Sequence, residues 1–356
     1  MTNEEILDVL HTVQHPELKS DIVTLGMVEG LTVSDDKVQF SLLFARSRDP
    51  FALSIKKRAE EAVAARYPQY AGRTVVFVKE AAPKKPAPKE KQKLGEKQGI
   101  SRIVAVSSAK GGVGKSTVTA NLAVSLADMG YRVGLLDADI YGPSQPTMFG
   151  VEGYRPEGKQ IDGKDWIVPA EAFGVKIMSI GFFIDPSDAL MWRGPMATNA
   201  LRQMIHQTLW GPLDFLLLDL PPGTGDVHLS IIGEMKIDGA VIVSTPQRVA
   251  LADVVRGVAM FRNEKIGIPV LGLVENMAWF TPAELPDHRY YIFGKEGARR
   301  LAEETNLPLL AEIPLIQSVR ESGDEGHPAS ANVSAAGAFY RTLAENVVSE
   351  LEKKER

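Results

Sequence analysis

Six short apolar segments between residue 101 and the C-terminus alternate with stretches whose apolar residues recur at helical spacing. The segments cover residues 103–106, 132–136, 214–218, 240–244, 270–274 and 309–313. Runs of this length are typical of strands buried on both faces, and their alternation with helices is typical of parallel sheets. The pattern predicts an α/β fold: a mostly parallel sheet with helices on both faces.

The first 80 residues show a different and smaller pattern. Helical periodicity covers residues 4–12 and 51–66, and strand patterns cover residues 38–44 and 74–78. Thr2 or Asn3 is able to cap the first helix, because either side chain can accept a hydrogen bond from a backbone N–H of the first turn. We expect a small α+β domain over residues 1–80.

Composition changes sharply over residues 81–99, where AAPKKPAPKEKQKLGEKQG carries three prolines, six lysines and almost no apolar side chain. Such a segment cannot form a core and is typical of an extended linker. A nucleic-acid-binding tail is the alternative, but no aromatic residue lies between the lysines to stack on bases. We therefore predict a domain over residues 1–80, a linker over residues 81–99 and a second domain over residues 100–356.

The overall composition narrows the class of protein. The 356 residues are 44% hydrophobic and 24% charged, with a formal net charge of −5, so the surface offers no general attraction for nucleic acid. No cysteine is present, which excludes disulfides and thiolate-bound metal sites supplied by this chain alone. The N-terminal MTNEEILDVL lacks a signal-peptide pattern, and no apolar run approaches the roughly 20 residues of a membrane span. We expect a cytoplasmic protein with no nucleic-acid or membrane partner.

A stripe of apolar side chains recurs at every fourth residue near the C-terminus. Its members are Phe339, Leu343, Val347 and Leu351. A membrane anchor is one interpretation, but the glutamates at positions 345, 350 and 352 disfavour an anionic surface. The stripe is predicted to pack in the core.

The segment AKGGVGKST, residues 109–117, follows the first apolar run and precedes a helical pattern. This is the strand–loop–helix context that a phosphate-binding loop needs. Its glycines let the backbone turn tightly and bring N–H groups against phosphate oxygens. Lys115 would reach the β- and γ-phosphates, the Ser116 hydroxyl would bind Mg²⁺, and the helix N-terminus would add its positive end. The sequence therefore predicts a nucleoside triphosphate site.

Polar side chains follow several of the predicted strands. Asp137, Asp139, Asp219 and Asn276 fall at carboxyl ends, where ligands bind in open α/β sheets. Asp219 begins DLPPGTGD and is placed to hold Mg²⁺, as phosphoryl transfer to water requires a metal and a group that orients the water. Two aspartates one residue apart, as at 137 and 139, could instead simply end a strand.

The loop carries a second lysine, Lys110, and KGGVGKST resembles the deviant Walker A motif of dimeric ATPases. This class includes MinD, ParA, the nitrogenase iron protein and the Mrp/ApbC group. The resemblance implies a homodimer with ATP between its subunits, in which Lys110 crosses to the partner's nucleotide. A solvated loop lysine is the alternative. Ala109 stands where the common pattern has its first glycine, a change that fits a residue with negative φ.

Two further motifs are similar to this class. DADIYGPS, residues 137–144, resembles the switch I of Mrp proteins, which implies that Asp139 orients the attacking water and that Asp137 helps to order the metal shell. Asn276 in VENM matches the base-reading asparagine of the class, and its amide can offer adenine both a donor and an acceptor. No N-K-x-D sequence, the usual guanine reader, is present. ATP is therefore favoured over GTP.

The motifs and the resemblance together assign the site residues. The expected catalytic residues are Lys110, Lys115, Asp139 and Asp219. The expected nucleotide-binding residues are Ala109, Lys110, Gly111, Gly112, Val113, Gly114, Lys115, Ser116, Thr117 and Asn276. The expected Mg²⁺-binding residues are Ser116, Asp137 and Asp219.

Four longer segments resemble the Mrp/ApbC group and not MinD or ParA. They are GVKIMSIGFFI from residue 174, MWRGPM from 191, VENMAWF from 274 and IFGKEGARRLA from 292. HPELKSDIVTLGMVEGLTV, residues 15–33, is similar to the small domain often joined to Mrp proteins. The chain is thus identified as a member of the Mrp/ApbC group, which implies an ATPase that carries or assembles iron–sulfur clusters for client apoproteins.

The chain departs from this group where many members have a C-x-x-C pair. TPAELPDHRYY occupies residues 281–291 instead. Glu284, Asp287 and His288 could ligate a metal, but carboxylates are poor substitutes for thiolates on a cluster. Two functions stay open: a cluster carrier that relies on partner thiolates, and a nucleotide-switched positioning ATPase, closer to MinD or ParA, without a cluster.

Overall fold

The computed structural model describes residues 2–34, 36–44, 49–80, 98–140, 142–183 and 194–355. They form two compact units, one up to residue 80 and one from residue 98. Most of the predicted linker, residues 81–97, lies outside the described residues, and so does segment 184–193, which includes Trp192 and Arg193. The linker therefore stays a prediction.

The N-terminal unit packs a three-stranded sheet and two helices around one apolar core. Its elements are α1 (Asn3–Leu10), β1 (Val28–Val33), β2 (Val38–Phe44), α2 (Ala52–Arg66) and β3 (Thr74–Glu80). Strand β2 lies in the middle, antiparallel to β1 and parallel to β3. The two predicted helices and two predicted strands are all present, with ends that differ by two residues or fewer.

Local signals explain what could be predicted in this unit. The backbone N–H of Glu5 donates to Thr2 Oγ1 and the N–H of Thr2 donates to Glu5 Oε2, so a capping box begins α1. None of the residues of β1 is fully buried, so its sequence shows only a weak alternation of apolar and polar residues. For that reason this strand was not predicted.

The described part of the second unit contains an eight-stranded sheet and a separate two-stranded hairpin over residues 158–167, with helices between the strands along the chain. Its strands are β4 (Ile100–Ser107), β5 (Val133–Asp137), β6 (Gly158–Ile161), β7 (Lys164–Ile167), β8 (Ala170–Ala172), β9 (Val175–Ser179), β10 (Leu213–Asp219), β11 (Gly239–Ser244), β12 (Val270–Phe280) and β13 (Leu309–Leu315). Its helices are α3 (Lys115–Asp128), α4 (Gln145–Met148), α5 (Gly194–Gln207), α6 (Asp226–Glu234), α7 (Arg248–Arg262), α8 (Gly297–Thr305), α9 (Gln317–Asp324) and α10 (Ala335–Glu355).

The order of strands across the large sheet is β13-β12-β11-β4-β10-β5-β9-β8. Every neighbouring pair is parallel except β8 with β9 at the edge. The central strands β4, β10 and β11 are almost continuously buried, as expected of parallel strands covered on both faces. The predicted fold class is confirmed.

Strand β12 differs from its prediction. It continues to Phe280 and not only to residue 274, so Asn276 lies within the strand and not after it. The pairing with β13 is irregular between Asn276 and Phe280, and Met277 has φ of 55°. This irregular half of β12 passes the phosphate loop. Strands β8 and β9 and the β6–β7 hairpin were also not predicted.

Helix α10 carries the apolar stripe near the C-terminus. Leu343, Val347 and Leu351 are buried in the main core, and Phe339 packs against it. The prediction of core packing is confirmed, and the anchor interpretation is wrong for these side chains. Among the described residues, no helix combines the length and the apolar character that a membrane crossing requires.

Candidate functional site

The phosphate loop joins the buried strand β4 to helix α3. Gly112 and Gly114 have φ of 81° and 83°, a backbone conformation that favours glycine. A Cβ atom on Gly114 would lie 2.2 Å from Asn276 Nδ2. Ala109 does not have a positive φ, which explains why alanine is accepted where the common motif has glycine.

Lys115 lies in the first turn of α3 and faces carboxylates. Its Nζ lies 2.5 Å from Asp219 Oδ1 and 3.6 Å from Asp139 Oδ2. It also donates to Ser116 Oγ at 3.1 Å, and the residue is only 5% exposed. The structure therefore brings together Lys115, Ser116, Asp139 and Asp219, four of the residues that the sequence assigned to the site.

Asp219 and Asp137 end neighbouring parallel strands in the same register, and both are fully buried. Thr119 Oγ1 donates to Asp219 Oδ1 at 3.1 Å, and Ser179 Oγ donates to Asp137 Oδ2 at 2.9 Å. Burial raises the pKa of Asp137 to about 7, and the charge of Asp219 acts in the same direction. Together with Asp139, Asp137 and Asp219 make three buried carboxylates around one lysine, and a further cation would relieve their repulsion.

The donor set at these strand ends fits Mg²⁺. This ion prefers oxygen ligands and is usually held by one or two carboxylates together with phosphate oxygens and waters. Asp137, Asp219 and the Ser116 hydroxyl offer such oxygens. Within the described ranges, no group of three or more histidine, aspartate or glutamate side chains is placed to hold a metal by itself. A site that shares the cation with a phosphate agrees with both observations.

Gln145 connects these groups, although the sequence analysis did not single it out. It is the first residue of α4 and is fully buried. Its side-chain Nε2 donates to Asp219 Oδ2 at 2.8 Å and to the Ser116 carbonyl at 3.1 Å, and its backbone N–H donates to Asp137 Oδ2 at 3.2 Å. Its Oε1 is buried and has no hydrogen-bond partner in the described part of the chain.

His228 on α6 is a second buried polar residue that was not predicted. Its Nδ1 lies 3.3 Å from the Pro221 carbonyl oxygen, and its Nε2 is buried without a hydrogen-bond partner among the residues described. Burial lowers the pKa of His228 to about 4, and the positive charge of Lys115 contributes. The only sequence signal for either residue was its closeness to a recognised motif.

The loop after Asp219 contacts the phosphate loop directly. The Gly223 N–H donates to the Ser108 carbonyl at 2.8 Å, and Gly223 has φ of 89°. Ser108 Oγ in turn donates to the Lys110 carbonyl at 3.0 Å. Residues 219–226 are thus coupled to the loop that the sequence predicts to hold phosphate, while the Lys110 side chain is exposed.

A cavity of about 560 Å³ opens beside the phosphate loop. Its lining includes Gly114, Thr117, Asn276, Met277 and Leu315. Asn276 also donates from Nδ2 to the Val113 carbonyl at 2.9 Å, so its amide oxygen and the rest of its donor capacity are what it can offer a ligand. The volume and mixed lining suit a nucleoside.

Residues 281–289 form an exposed loop, closed at its base where Phe280 and Tyr290 exchange backbone hydrogen bonds of 2.9 and 2.8 Å. Arg289 lies over the Trp279 ring at 4.3 Å from its centre. Glu284, Asp287 and His288 do not form a metal-binding group. This interpretation of the sequence is therefore wrong. With no thiolate in the chain, the residues here do not fit a resident iron–sulfur cluster.

The parallel sheet, the glycine-rich loop at the start of α3 and the carboxylates at the strand ends define a P-loop NTPase. Comparison with known proteins gives the family. Residues 99–348 match the family described as NUBPL iron-transfer P-loop NTPase, and residues 3–76 match the family described as iron-sulfur cluster assembly protein.

Curated relatives extend over almost the whole chain. An iron-sulfur cluster carrier protein of Synechocystis sp. is 41% identical over 98% of this chain and 98% of its own length. The protein of that name in Escherichia coli K12 is 40% identical over 97% of this chain and 91% of its own length. The chain therefore belongs to the NUBPL iron-transfer P-loop NTPase family, and the recognised Mrp/ApbC resemblance is confirmed.

Solved structures agree with this assignment. A nucleotide-binding protein from Archaeoglobus fulgidus in complex with ADP is 37% identical and covers 70% of this chain and 95% of its own, with a TM-score of 0.60. The cell division ATPase MinD of Pyrococcus furiosus is 26% identical, with coverage of 70% and 99% and a TM-score of 0.52.

Proposed function

We propose that this protein binds ATP with Mg²⁺ at the phosphate loop, hydrolyses it, and uses the cycle to carry iron–sulfur clusters for other proteins. The main observation in support of a nucleotide site is the position of Lys115. It is buried at the start of α3 and lies between the carboxylates of Asp219 and Asp139. A lysine with a glycine-rich loop, a hydroxyl and carboxylates at the same strand ends is the apparatus of phosphoryl transfer.

The site residues would have different roles in binding phosphate, orienting water and holding Mg²⁺. Backbone N–H groups of Gly111, Gly112 and Gly114 would hold phosphate oxygens, and Lys115 would exchange its carboxylate partners for the β- and γ-phosphates. Asp139 would orient the attacking water. Ser116, Asp137 and Asp219 would hold the Mg²⁺, which supplies charge neutralisation at the phosphates.

Base selection is proposed for the cavity beside the loop. Asn276 and Thr117 line it, and Asn276 keeps an amide oxygen that can accept from an exocyclic amino group. Adenine carries such a group, and no guanine-reading N-K-x-D motif is present. ATP is therefore the proposed nucleotide.

A homodimer is the proposed working unit. Lys110 is exposed beside the phosphate loop, whereas Lys115 is buried within the same protomer. Because the Lys110 side chain is exposed, it would be able to reach a nucleotide bound by a second copy. Closure of the dimer on ATP would then depend on Lys110, as in the ATPase class that the loop resembles.

The cluster is proposed as cargo and not as a resident cofactor. Relatives that span nearly the whole chain are named iron-sulfur cluster carrier proteins, which supports the function, but the chain has no cysteine. Thiolates would have to come from a client or a scaffold protein. The absence of cysteine also favours a second candidate, a nucleotide-switched positioning ATPase that handles no cluster.

Paired lysine variants test the nucleotide proposal. Lys115→Gln removes the charge but leaves an amide that can still donate to Asp219, so the buried carboxylates keep a partner. We expect calorimetry to show ATP affinity at least about 100-fold weaker, because a charge-assisted phosphate contact is lost. Lys110→Gln is the matched variant and should bind ATP within a few-fold of the parent but fail to dimerise with ATP in light scattering.

Turnover gives the second readout. Asp139→Asn should lower kcat while ATP affinity stays close to that of the parent, since orienting water matters in the transition state. Equal ATP affinity in Lys115→Gln and the parent would overturn the site assignment. Unchanged hydrolysis in Asp139→Asn would remove that residue from the mechanism.

A further inference from the structure

Gln145 occupies an unusual position for an uncharged side chain. It is completely buried, and it contacts all three residues proposed to hold Mg²⁺: the carboxylates of Asp219 and Asp137 and the carbonyl of Ser116. Burying a polar amide is costly unless its hydrogen bonds are made. Gln145 makes its donor bonds, yet its acceptor Oε1 has no partner in the part of the chain that the structure describes.

The direction of the amide follows from its neighbours. Both partners of Nε2 are acceptors, a carboxylate oxygen at 2.8 Å and a carbonyl oxygen at 3.1 Å. The reverse orientation would place Oε1 against these acceptors and lose both bonds. Oε1 belongs to the same amide and therefore lies beside the Asp219 carboxylate, in the same buried site.

A buried acceptor beside the carboxylates proposed to bind metal needs a donor, and the residues that the structure describes supply none. A water bound to Mg²⁺ is such a donor, because Mg²⁺ keeps several waters in protein sites and polarises their O–H bonds. We propose that Gln145 is a positioning residue for the cation. Its Nε2 fixes the Asp219 carboxylate, and its Oε1 accepts a hydrogen bond from a water of the Mg²⁺ shell.

This inference rests on the proposed function, since it assumes that Mg²⁺ enters with the nucleotide. It differs from the roles of Asp137 and Asp219, because Gln145 would act through water and through another side chain. Partners of this kind orient metal ligands, and their loss typically costs about 10- to 100-fold in metal affinity. The binding of nucleotide without a divalent cation should not depend on Gln145.

The experiment uses Gln145→Met, which keeps the size of the side chain but removes both polar atoms. The full chain is titrated with Mn²⁺ in the presence of ADP, and free Mn²⁺ is followed by electron paramagnetic resonance. We expect at least about tenfold weaker Mn²⁺ binding than in the parent, with ADP affinity in EDTA unchanged within twofold. Gln203→Met, at an exposed position of α5, is the control and should match the parent in both measurements.

The outcomes separate the inference from the proposed function. A parent protein that binds neither ADP nor Mn²⁺ would overturn the nucleotide proposal itself. If the parent binds both and Gln145→Met binds Mn²⁺ within twofold of the Gln203→Met control, the role of Gln145 is wrong. Should Gln145→Met fail to fold, judged by circular dichroism, Gln145→Asn replaces it under the same threshold, because its shorter amide cannot span the same contacts; a folded variant that loses ADP affinity in EDTA would also contradict the inference.

Discussion

Gly114 is the residue at which the backbone most constrains the phosphate loop. Its φ of 83° is unfavourable for any residue with a Cβ atom, and its open side is filled by the Asn276 amide. Gly111 is different: it does not have a positive φ, and a Cβ atom there would meet nothing within 4 Å. Two glycines of one motif therefore carry very different structural demands.

We predict that Gly114→Ala lowers the free energy of unfolding by about 2 kcal/mol or more, since backbone strain and a steric clash both oppose it. Gly111→Ala should change stability by less than about 1 kcal/mol, because no strain is introduced. Urea unfolding without added nucleotide measures both values. Equal destabilisation by the two variants would contradict this account of the loop.

His228 should make the stability of the second unit depend on pH. Burial lowers its pKa to about 4, whereas in the unfolded chain it is near 6.5. Below pH 6.5 the unfolded state binds a proton at His228 that the folded state does not, so the contribution of His228 to stability falls as the pH falls from about 6.5 to 4. The loss should be on the order of 2–3 kcal/mol, at about 1.4 kcal/mol per pKa unit.

The variant His228→Gln should remove this part of the pH dependence, because glutamine does not titrate and can still pair with the Pro221 carbonyl. Urea unfolding of the parent and the variant at pH 7 and pH 4.5 is the measurement. The gap in stability between the two proteins should change with pH. A constant gap would show that His228 is not the titrating group.

Residues of the site differed in how far the sequence could predict them. Lys115 and Ser116 lie in the phosphate-loop motif and Asp219 begins DLPPGTGD, so residue types and positions at strand ends were sufficient to predict that they lie together, as they do. The roles of Gln145 and His228 depend on contacts with residues distant in the sequence, so the sequence alone did not indicate them. A buried amide becomes informative only when its partners, supplied by β10 and α3, are known.

Among the secondary-structure elements, too, some were predictable from the sequence and others were not. The central strands are buried on both faces, so continuous apolar runs such as residues 214–218 marked them clearly. Strand β1 has no fully buried residue and the short edge strand β8 has only one, and the sequence carried no comparable signal. The far end of β12 was missed because the polar Glu275 and Asn276 interrupt the apolar run; in the structure Met277 follows them with a positive φ.

Helix α10 allows a direct test at this scale. Leu343 is fully buried in the main core, so Leu343→Ala should lower the free energy of unfolding by about 2–5 kcal/mol through lost burial and the cavity it leaves. Glu352→Ala, at an exposed position of the same helix, should change it by less than about 0.5 kcal/mol. A similarly small effect at Leu343 would mean that the stripe serves a purpose other than core packing.

At the scale of the whole molecule, the names of the relatives indicate cluster transfer, whereas the composition of the chain supplies no cluster ligand. Relatives over nearly the full length are named cluster carriers, while the chain contains no cysteine. The proposed nucleotide chemistry needs no thiolate, because it rests on Lys115, Ser116 and Asp219, which lie together in the structure. Cluster binding needs soft sulfur ligands, which oxygen and imidazole side chains replace poorly.

We predict that the purified full-length protein does not retain a [4Fe–4S] cluster after anaerobic reconstitution with iron and sulfide, because cluster irons require thiolate ligands. Iron content and visible absorbance after gel filtration are the measurements, made with small-molecule thiols removed. ATP should still drive dimerisation in the same sample, which shows that the protein is folded and active in nucleotide binding.

Addition of a thiol-bearing client should change the result. A cluster that appears only in the mixture, and more of it with ATP than without, would support a carrier that borrows its ligands. No cluster in either case would favour the positioning ATPase. A stoichiometric cluster that stays on the isolated protein through gel filtration would contradict the prediction, and ligands other than cysteine would then have to be found in this chain.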